Sequence, residues 1–150
     1  MAGDTYILFT VAETTYALRS RDVAHVEMIE QVTAVPNAAS FVDGVVFSRG
    51  VVVPALNLRA RFGFERAPNG LSTRLLVVHH DDRTVGLVVD AAREFAAIDP
   101  ASIQPPATAL SGLSGRYLEG VANLGDRLVL VLNLEAVLTF NDPVMEQHVH

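Results

Sequence analysis

Residues 44–64 read GVVFSRGVVVPALNLRARFGF, and the chain contains this sequence a second time in related form. Residues 120–140 read GVANLGDRLVLVLNLEAVLTF and align with the first copy without a gap, at a constant offset of 76. Ordinary residue frequencies give only about two chance matches over such a length. The residues of the first copy that recur unchanged are Gly44, Val45, Val53, Leu56, Asn57, Leu58, Ala60 and Phe64. The match therefore indicates an internal duplication.

Both copies follow the same order of local structure. A glycine opens an apolar strand, a turn follows (Ser48-Arg49-Gly50 in the first copy), and a strand rich in Val and Leu comes next. Asn57 and Asn133 then occupy the N-cap position, where a side-chain oxygen accepts a free backbone N–H. We expect short helices at residues 58–62 and 134–138, with Gly63 ending the first.

The earlier parts of the two halves resemble each other more faintly, at residues 8–18 and 75–87. We expect one domain over residues 1–150, built from approximate repeats at 5–64 and 74–140 and followed by a flexible tail at 141–150. Repeats of this size, rich in strand-forming residues, predict an all-β fold of two small barrels packed together.

Composition excludes several functional classes. The chain has 150 residues, a net charge of −6 and no cysteine, so disulfides and thiolate catalysis are excluded. All eleven basic residues are arginines, and they are scattered, which argues against nucleic acid and against an anionic membrane surface. No stretch approaches the roughly 20 apolar residues of a membrane span. The first residues, MAGDTY, carry no secretory signal, so we expect a cytoplasmic protein without direct membrane insertion.

No catalytic motif is present, and we expect neither enzymatic activity nor a cofactor. His79 and His80 are neighbours in a predicted strand and point to opposite faces, and His148 and His150 lie in the tail. We therefore expect no functional metal site. An enzyme or small-molecule binder acting in a cleft between the barrels stays open as an alternative, which a deep polar pocket would favour.

The predicted hairpin tip and one short segment are candidate binding elements. Arg49 lies at the tip or shoulder of the hairpin, either as a solvated turn residue or, given its apolar neighbours, as a binding residue. Asp22 can cap a helical turn at residues 23–26, which would place Val23 and Val26 on one face. Both valines could equally be ordinary core residues.

Several segments, in order, resemble one known family. Residues 35–63 read VPNAASFVDGVVFSRGVVVPALNLRARFG, and RTVGLVVDAAREF, IDPASIQPP and YLEGVANLGDRLVLVLNLEAVL follow downstream. Together they are similar to the CheW-like family of bacterial chemotaxis coupling proteins, over about residues 5–140. The resemblance implies an all-β fold of two intertwined five-stranded SH3-like barrels with a few short helices.

The resemblance also implies a function and its partners. Family members are non-catalytic adaptors that bind the cytoplasmic tips of chemoreceptors and the regulatory domain of the CheA histidine kinase. By this likeness we expect a protein that is monomeric when free and recruited from the cytoplasm to membrane-associated receptor arrays.

Site residues are also implied by the resemblance. The receptor-coupling arginine and glycine of the family correspond to Arg49 and Gly44. The implied kinase contact is the corner formed by Val35 and Pro36. The hydrophobic groove that accepts the receptor corresponds to Val23, Val26, Leu75 and Phe95.

The chain departs from the family's pattern at several positions. Phe47-Ser48 stands where Asn-Leu precedes the arginine, and His25 stands where an acidic residue is frequent. These departures concern the partner more than the fold. Two alternatives therefore stay open: a chemosensory system other than flagellar chemotaxis, and a divergent relative that binds one partner only and acts as a competitor.

Overall fold

The computed structural model describes residues 3–106 and 115–140, which form ten strands and two short α-helices. The predicted tail, residues 141–150, lies outside the described residues. The strands are β1 (Asp4–Val11), β2 (Thr14–Arg19), β3 (Val23–Met28), β4 (Val42–Ser48), β5 (Val51–Asn57), β6 (Arg74–His80), β7 (Arg83–Val89), β8 (Ala91–Ile98), β9 (Leu118–Asn123) and β10 (Leu128–Leu132). The helices are α1 (Leu58–Arg61) and α2 (Leu134–Leu138), and 3-10 turns occupy Ser20–Asp22, Pro100–Ser102 and Gly115–Tyr117.

Two five-stranded sheets exchange strands between the halves of the chain. Their strand orders are β8-β1-β2-β10-β9 and β3-β6-β7-β5-β4. The antiparallel pair β1–β8 of the first sheet corresponds to β6–β3 of the second. Likewise, the parallel pair β2–β10 corresponds to β7–β5. Each sheet therefore takes strands from both repeats, and the intertwined arrangement implied by the resemblance is confirmed.

Each sheet closes on itself through the segment that follows one of its edge strands. Thr33, beyond β3, pairs with Val45 of β4, at N···O distances of 2.9 and 2.8 Å. Gln104, beyond β8, pairs in the same way with Val121 of β9, at 2.9 and 2.7 Å. These bridges join the opposite edges of each sheet. We call the sheet that contains β1 the first barrel and the sheet that contains β3 the second barrel.

Strands β1 and β6 are buried on both faces, which explains their unbroken apolar sequences. Because alternate side chains of a strand point to opposite faces, Tyr6 and Leu8 pack inside the first barrel while Ile7 and Phe9 pack between the barrels. In β6, Leu75 packs inside the second barrel, whereas Leu76 and Val78 face the shared cluster. That shared cluster is the largest of the three, so the barrels are joined by a continuous hydrophobic core.

Both helices begin at the predicted asparagine caps. The Asn57 side chain accepts a hydrogen bond from the backbone N–H of Ala60 at 3.1 Å, and Asn133 does the same for Ala136 at 3.1 Å. α1 ends at Arg61, one residue before the predicted end, and Gly63 follows with φ +92°. In each half of the chain, the short helix after the last strand is thus capped by an asparagine at the equivalent position.

Arg61 connects α1 to the end of α2. Its guanidinium carbon lies 4.3, 4.8 and 4.9 Å from the ring centroids of Phe41, Tyr117 and Phe140. Its Nε donates to the carbonyl oxygen of Val137 at 2.9 Å. Burial lowers the pKa of the Arg61 side chain. The three rings and the carbonyls at the end of α2 replace the water that a buried guanidinium would lose.

The predicted helical turn at residues 23–26 is wrong. The helical turn occupies Ser20–Asp22, and Val23 begins β3, which pairs with β6 along its whole length. A β-bulge between Val23 and His25 shifts the register, so that Val23 pairs with Val78 and Val26 with Leu76. The two valines therefore lie on one side of β3, as predicted, although the segment is a strand. Pairing with β6 satisfies the backbone of these β-branched residues better than one helical turn would.

Candidate functional site

Side chains reinforce the closure of the second barrel where β3 meets β4. Nε2 of His25 lies 3.2 Å from Oγ of Ser48 and 2.5 Å from Oε2 of Glu27. The Ser48 hydroxyl donates to the same Glu27 oxygen at 2.6 Å. One carboxylate oxygen therefore ties the two strands together, and we call these three residues the seam.

Two of the three seam residues are departures from the family pattern. His25 replaces a frequently acidic residue and Ser48 replaces a leucine, and they contact each other across the barrel edge. Ser48 is buried, at 4% exposure, so its hydroxyl needs a hydrogen-bond partner, which Glu27 supplies. The two residues thus contact each other in the structure, which the sequence did not reveal because they are far apart along the chain.

Arg49 lies next to the seam at the tip of the β4–β5 hairpin, as predicted. Arg49 and Gly50 form the turn with φ of +49° and +84°. The Arg49 side chain is 70% exposed, and its Nε lies 3.9 Å from Oε2 of Glu27. Such a long and exposed ion pair contributes little to stability, so the guanidinium is available to a partner's carboxylates or carbonyls.

Gly44 lies under the backbone bridge that closes the second barrel. A Cβ placed on Gly44 would be 2.1 Å from the carbonyl oxygen of Thr33, and φ at this position is +145°. Its repeat equivalent, Gly120, is equally close to the closing segment of the first barrel, where a Cβ would be 2.5 Å from the carbonyl oxygen of Gln104. The structure therefore gives both repeated glycines a packing role in closing the barrels.

A cleft of about 740 Å³ opens beside the seam, between the β3–β4 connection and the β4–β5 hairpin. Its apolar lining includes Met28, Phe47 and Val52, which are 63%, 74% and 47% exposed. Glu27 and Glu30 add two carboxylates to the lining. We call Met28, Phe47, Val52 and the adjacent Val51 the apolar face. Phe47, Val51 and Val52 were noted from the sequence as neighbours of Arg49, whereas Met28 was missed because β3 was interpreted as a helical turn.

The four hydrophobic residues implied for the receptor groove lie on three strands and differ in exposure. Leu75 is 1% exposed and forms part of the cleft lining, where it also packs inside the second barrel. Val23 packs against the shared core, and Val26, on the same side of β3, is 38% exposed. Phe95 is exposed on β8, an edge strand of the first barrel. Leu75 thus lies beside the apolar face. Val23, Val26 and Phe95 pair with residues of the shared cluster, so all three lie on the side of their sheets that faces the other barrel.

The Val35-Pro36 corner lies in the connection between β3 and β4. It follows Thr33, which pairs with β4, and precedes Asn37, which has φ +63°. Val35 is half-buried and Pro36 is exposed. The corner is therefore anchored on one side by the closing bridge of the second barrel and presents its proline to solvent.

Comparison with known proteins gives a consistent result. Residues 5–141 match the family model for the CheW-like domain. The chain belongs to the CheW-like family. It is 27% identical to chemotaxis protein CheW of Klebsiella aerogenes, over 98% of this chain and 89% of that protein. It is 31% identical to chemotaxis protein CheW of Helicobacter pylori, over 89% of this chain and 80% of that protein.

A solved CheW structure has the same fold. The crystal structure of scaffolding protein TtCheW from Thermoanaerobacter tengcongensis is similar to this chain with a TM-score of 0.84 and 28% sequence identity, covering 93% of this chain and 94% of that one. The predicted class, two intertwined SH3-like barrels, is therefore confirmed.

The first barrel of this CheW-like chain has a glutamate, Glu94, at the position that corresponds to Glu27 of the seam. In the strand register, Glu94 of β8 lies opposite Leu8 of β1, as Glu27 of β3 lies opposite Leu75 of β6. Oε1 of Glu94 accepts a hydrogen bond from Nη2 of Arg127 at 2.9 Å. This ion pair raises the pKa of Arg127. Beside it, Phe95 and Leu128 are exposed at positions that correspond to Met28 and Val52 of the second barrel. Each barrel thus has a Glu–Arg contact flanked by exposed apolar side chains.

The seam of this family member does not have the geometry of a hydrolytic triad. Ser48 donates its hydroxyl to Glu27, and the same Nε2 of His25 faces both residues, so His25 is not positioned between a nucleophile and a carboxylate. Among the described residues, Tyr6, Tyr16 and four arginines have shifted pKa values. All six lie outside the lining of the cleft beside the seam. No helix in the described part of the chain is long and apolar enough to cross a membrane.

Proposed function

We propose that this chain is a non-catalytic adaptor that couples chemoreceptors to a CheA-type histidine kinase. The observation that carries the proposal is the family match over residues 5–141, which spans all the strands of both barrels. Proteins that share this fold and these motifs are chemotaxis and scaffolding proteins. An adaptor needs two separate surfaces on a rigid body, and two barrels joined by one core provide that rigidity.

The proposed receptor contact centres on Arg49. Its exposed guanidinium offers charge-assisted hydrogen bonds to carboxylates or carbonyls of a receptor helix. Apolar side chains around it supply area that is removed from water on binding, worth about 25 cal/mol per Å². In this proposal Val26 and Phe95 contribute from the surface and Leu75 from the wall of the cleft. Gly44 and Val23 act indirectly, by holding the hairpin and β3 in position.

The proposed kinase contact uses the end of a barrel, with the Val35-Pro36 corner as its marker. A proline fixes its own backbone angle, so this corner loses little conformational entropy when a partner binds. Separate receptor and kinase contacts would allow both partners to bind at once. On this proposal the free protein is a cytoplasmic monomer that reaches the membrane through the receptor alone.

A competitor that binds only one partner is the second candidate, because the seam and Phe47 depart from the family's pattern beside Arg49. It differs from the adaptor in one measurable respect, which is the capacity to bring the kinase to receptors.

A three-component co-sedimentation assay tests the proposal. The components are this protein, the CheA-type kinase of the same organism and membranes that carry a cognate chemoreceptor. We expect kinase in the pellet only when the wild-type protein is present. Arg49→Ala should reduce co-sedimentation of the protein with receptor membranes about tenfold, as expected for the loss of roughly 1.4 kcal/mol in charge-assisted contacts.

Arg127→Ala is the matched control for Arg49→Ala. Arg127 lies in the turn of the equivalent β9–β10 hairpin of the first barrel and also pairs with a glutamate, so its loss removes a similar charge at a different place. Wild-type behaviour of this control, together with an unchanged melting temperature for Arg49→Ala, supports a specific role for Arg49. If the protein binds the kinase but never carries it to receptor membranes, the coupling proposal is wrong and the competitor takes its place.

A further inference from the structure

Three potential metal ligands converge where the β6–β7 hairpin meets α2. Nε2 of His80 lies 2.6 Å from Oε1 of Glu135 and 3.5 Å from Oδ2 of Asp81. One ligand atom from each of the three residues lies within 4.8 Å of the other two. This cluster is separate from the seam and from the cleft described above. It was not visible in the sequence, because Glu135 is far along the chain from the adjacent pair.

Local structure holds each of the three residues in place. His80 ends β6, and Asp81 is the first residue of the turn, where φ is +51°. Glu135 lies in the first turn of α2, which is anchored by the cap from Asn133 to Ala136. The backbone positions of all three ligands are therefore set by regular structure, so little conformational entropy is lost when they bind an ion.

The charges around the cluster favour a cation. Among the described residues, His80 is the only ion-pair partner of Asp81 and the only ion-pair partner of Glu135. Other carboxylates of the chain, such as Asp90 and Glu119, are paired with arginines. Two carboxylates beside one imidazole carry excess negative charge when the imidazole is neutral, and a divalent ion would compensate it.

We propose that His80, Asp81 and Glu135 form a binding site for one divalent transition-metal ion, with zinc as its best fit. Imidazole nitrogen and carboxylate oxygen are zinc ligands at about 2.0–2.2 Å, and tetrahedral zinc accepts three protein ligands and a water. His80 would bind through Nε2, the atom that faces both carboxylates. Small changes in side-chain torsion move Nε2 and Oε1 from their direct contact to opposite sides of an ion.

A metal ion at this position would connect the two barrels. The hairpin that carries His80 and Asp81 belongs to the second barrel, and α2 follows β10 of the first. An ion that binds the folded chain and not the unfolded chain raises the melting temperature. Zinc binding should therefore be visible both as heat of binding and as increased thermal stability.

Isothermal titration with zinc chloride tests the site, using the full chain with His148→Ala and His150→Ala. These two substitutions remove the tail histidines, because any exposed imidazole offers a zinc-binding nitrogen of its own. We expect one zinc ion per chain and a rise in melting temperature that EDTA reverses. Adding either His80→Ala or Glu135→Gln should weaken binding about tenfold or more and abolish the rise in melting temperature.

His79→Ala is the matched control. His79 is the adjacent histidine, its Nδ1 lies 2.9 Å from Oγ1 of Thr84, and it takes no part in the cluster. This variant should bind zinc as the parent chain does. The proposal is overturned if the parent chain shows no saturable zinc binding, or if folded His80→Ala and Glu135→Gln variants keep the parent affinity. Equal loss in His79→Ala would also overturn it, since binding would then not be specific to the three ligands.

Discussion

Single polar groups in the core show most directly what the fold tolerates. Tyr6 is fully buried in the first barrel, and its hydroxyl has no hydrogen-bond partner among the described residues. A buried hydroxyl without a partner costs free energy, whereas the ring it belongs to contributes packing. Arg61 is the opposite case, because its half-buried charge is surrounded by rings and carbonyl oxygens.

We expect Tyr6→Phe to leave the free energy of unfolding at neutral pH unchanged or to raise it by about 1 kcal/mol. The substitution removes the unpartnered hydroxyl and keeps the ring, including its contact with Arg19. Urea denaturation followed by circular dichroism measures the effect. A loss of stability greater than about 1 kcal/mol would show that the hydroxyl makes a favourable contact.

Tyr6→Phe should also improve stability at alkaline pH. Burial raises the pKa of Tyr6 above its ordinary value of 10.0 in the folded protein, so the unfolded chain releases this proton first. The folded state is therefore unaffected below about pH 10 and loses stability as the pH rises through the folded pKa. The variant should lose less stability than the wild type above pH 10. Some loss should persist, because burial also raises the pKa of Tyr16.

Arg61→Lys should lower the free energy of unfolding by about 2 kcal/mol. A lysine carries the same charge but has neither the planar group that stacks on three rings nor the fork that reaches several carbonyls. Thermal and urea denaturation measure the loss. Arg127→Lys, at an exposed ion pair, serves as the control and should leave the free energy of unfolding nearly unchanged. Equal effects of the two substitutions would show that stacking on the rings contributes nothing.

At the scale of elements, the repeated glycines mark where each barrel closes. Gly44 and Gly120 were identified by their position at the start of each repeat, and the resemblance connected Gly44 with receptor coupling. Their shared feature in the structure is a carbonyl oxygen that occupies the place of a Cβ. A binding defect in a Gly44 variant can therefore arise from a displaced β3–β4 connection as well as from a lost contact.

We expect Gly44→Ala to destabilise the protein by about 1–3 kcal/mol, because the new methyl group would displace Thr33 from its bridge to Val45. Gly50→Ala is a suitable comparison. Gly50 also has a positive φ, of +84°, but a Cβ there would meet nothing within 4 Å. The second variant should therefore lose only the smaller backbone contribution, about 1 kcal/mol. Chemical denaturation of both proteins measures the difference, and equal losses would exclude a steric effect at the bridge.

Elements with a local signal were predictable from the sequence. The asparagine caps of both helices and the hairpin tip at Arg49 depend on residues close together in the chain, and they are confirmed. Residues 23–26 were predicted wrongly because a short β-branched segment after an aspartate is compatible with a turn or with a strand. Only its pairing with β6, more than forty residues away, settles the conformation.

At the scale of the whole molecule, the exchange of strands could not be derived from the repeat itself. Since β1 resembles β6, the sequence alone does not decide which of the two pairs with β3 and which with β8. The three-residue connection Ser20–Asp22 carries the chain from one barrel directly into the other. The intertwined arrangement was therefore predicted only through the family resemblance. The candidate site was predictable at Arg49, but the seam and the zinc cluster depend on contacts between distant segments.

Neither half of the chain should fold alone. Separate fragments of residues 1–70 and 71–150 each contain strands of both barrels but complete neither sheet. We expect each fragment to give an unfolded amide spectrum by nuclear magnetic resonance, and an equimolar mixture to recover the dispersed spectrum of the intact chain. Independent folding of either fragment would contradict the observed strand exchange as a requirement for stability.

The strand exchange also has a consequence for biosynthesis. The hairpin of β1 and β2 leaves the ribosome first, but its partner β10 begins only at Leu128. At about 5–20 residues per second, the β2 edge of the nascent hairpin waits roughly 5–20 seconds for β10, whereas β8 can pair with the β1 edge earlier. The second barrel, whose last strand β7 ends at Val89, can close earlier. We therefore expect the second barrel to close before the first during synthesis, and we expect the yield of native protein to depend on translation speed and chaperone access during that interval.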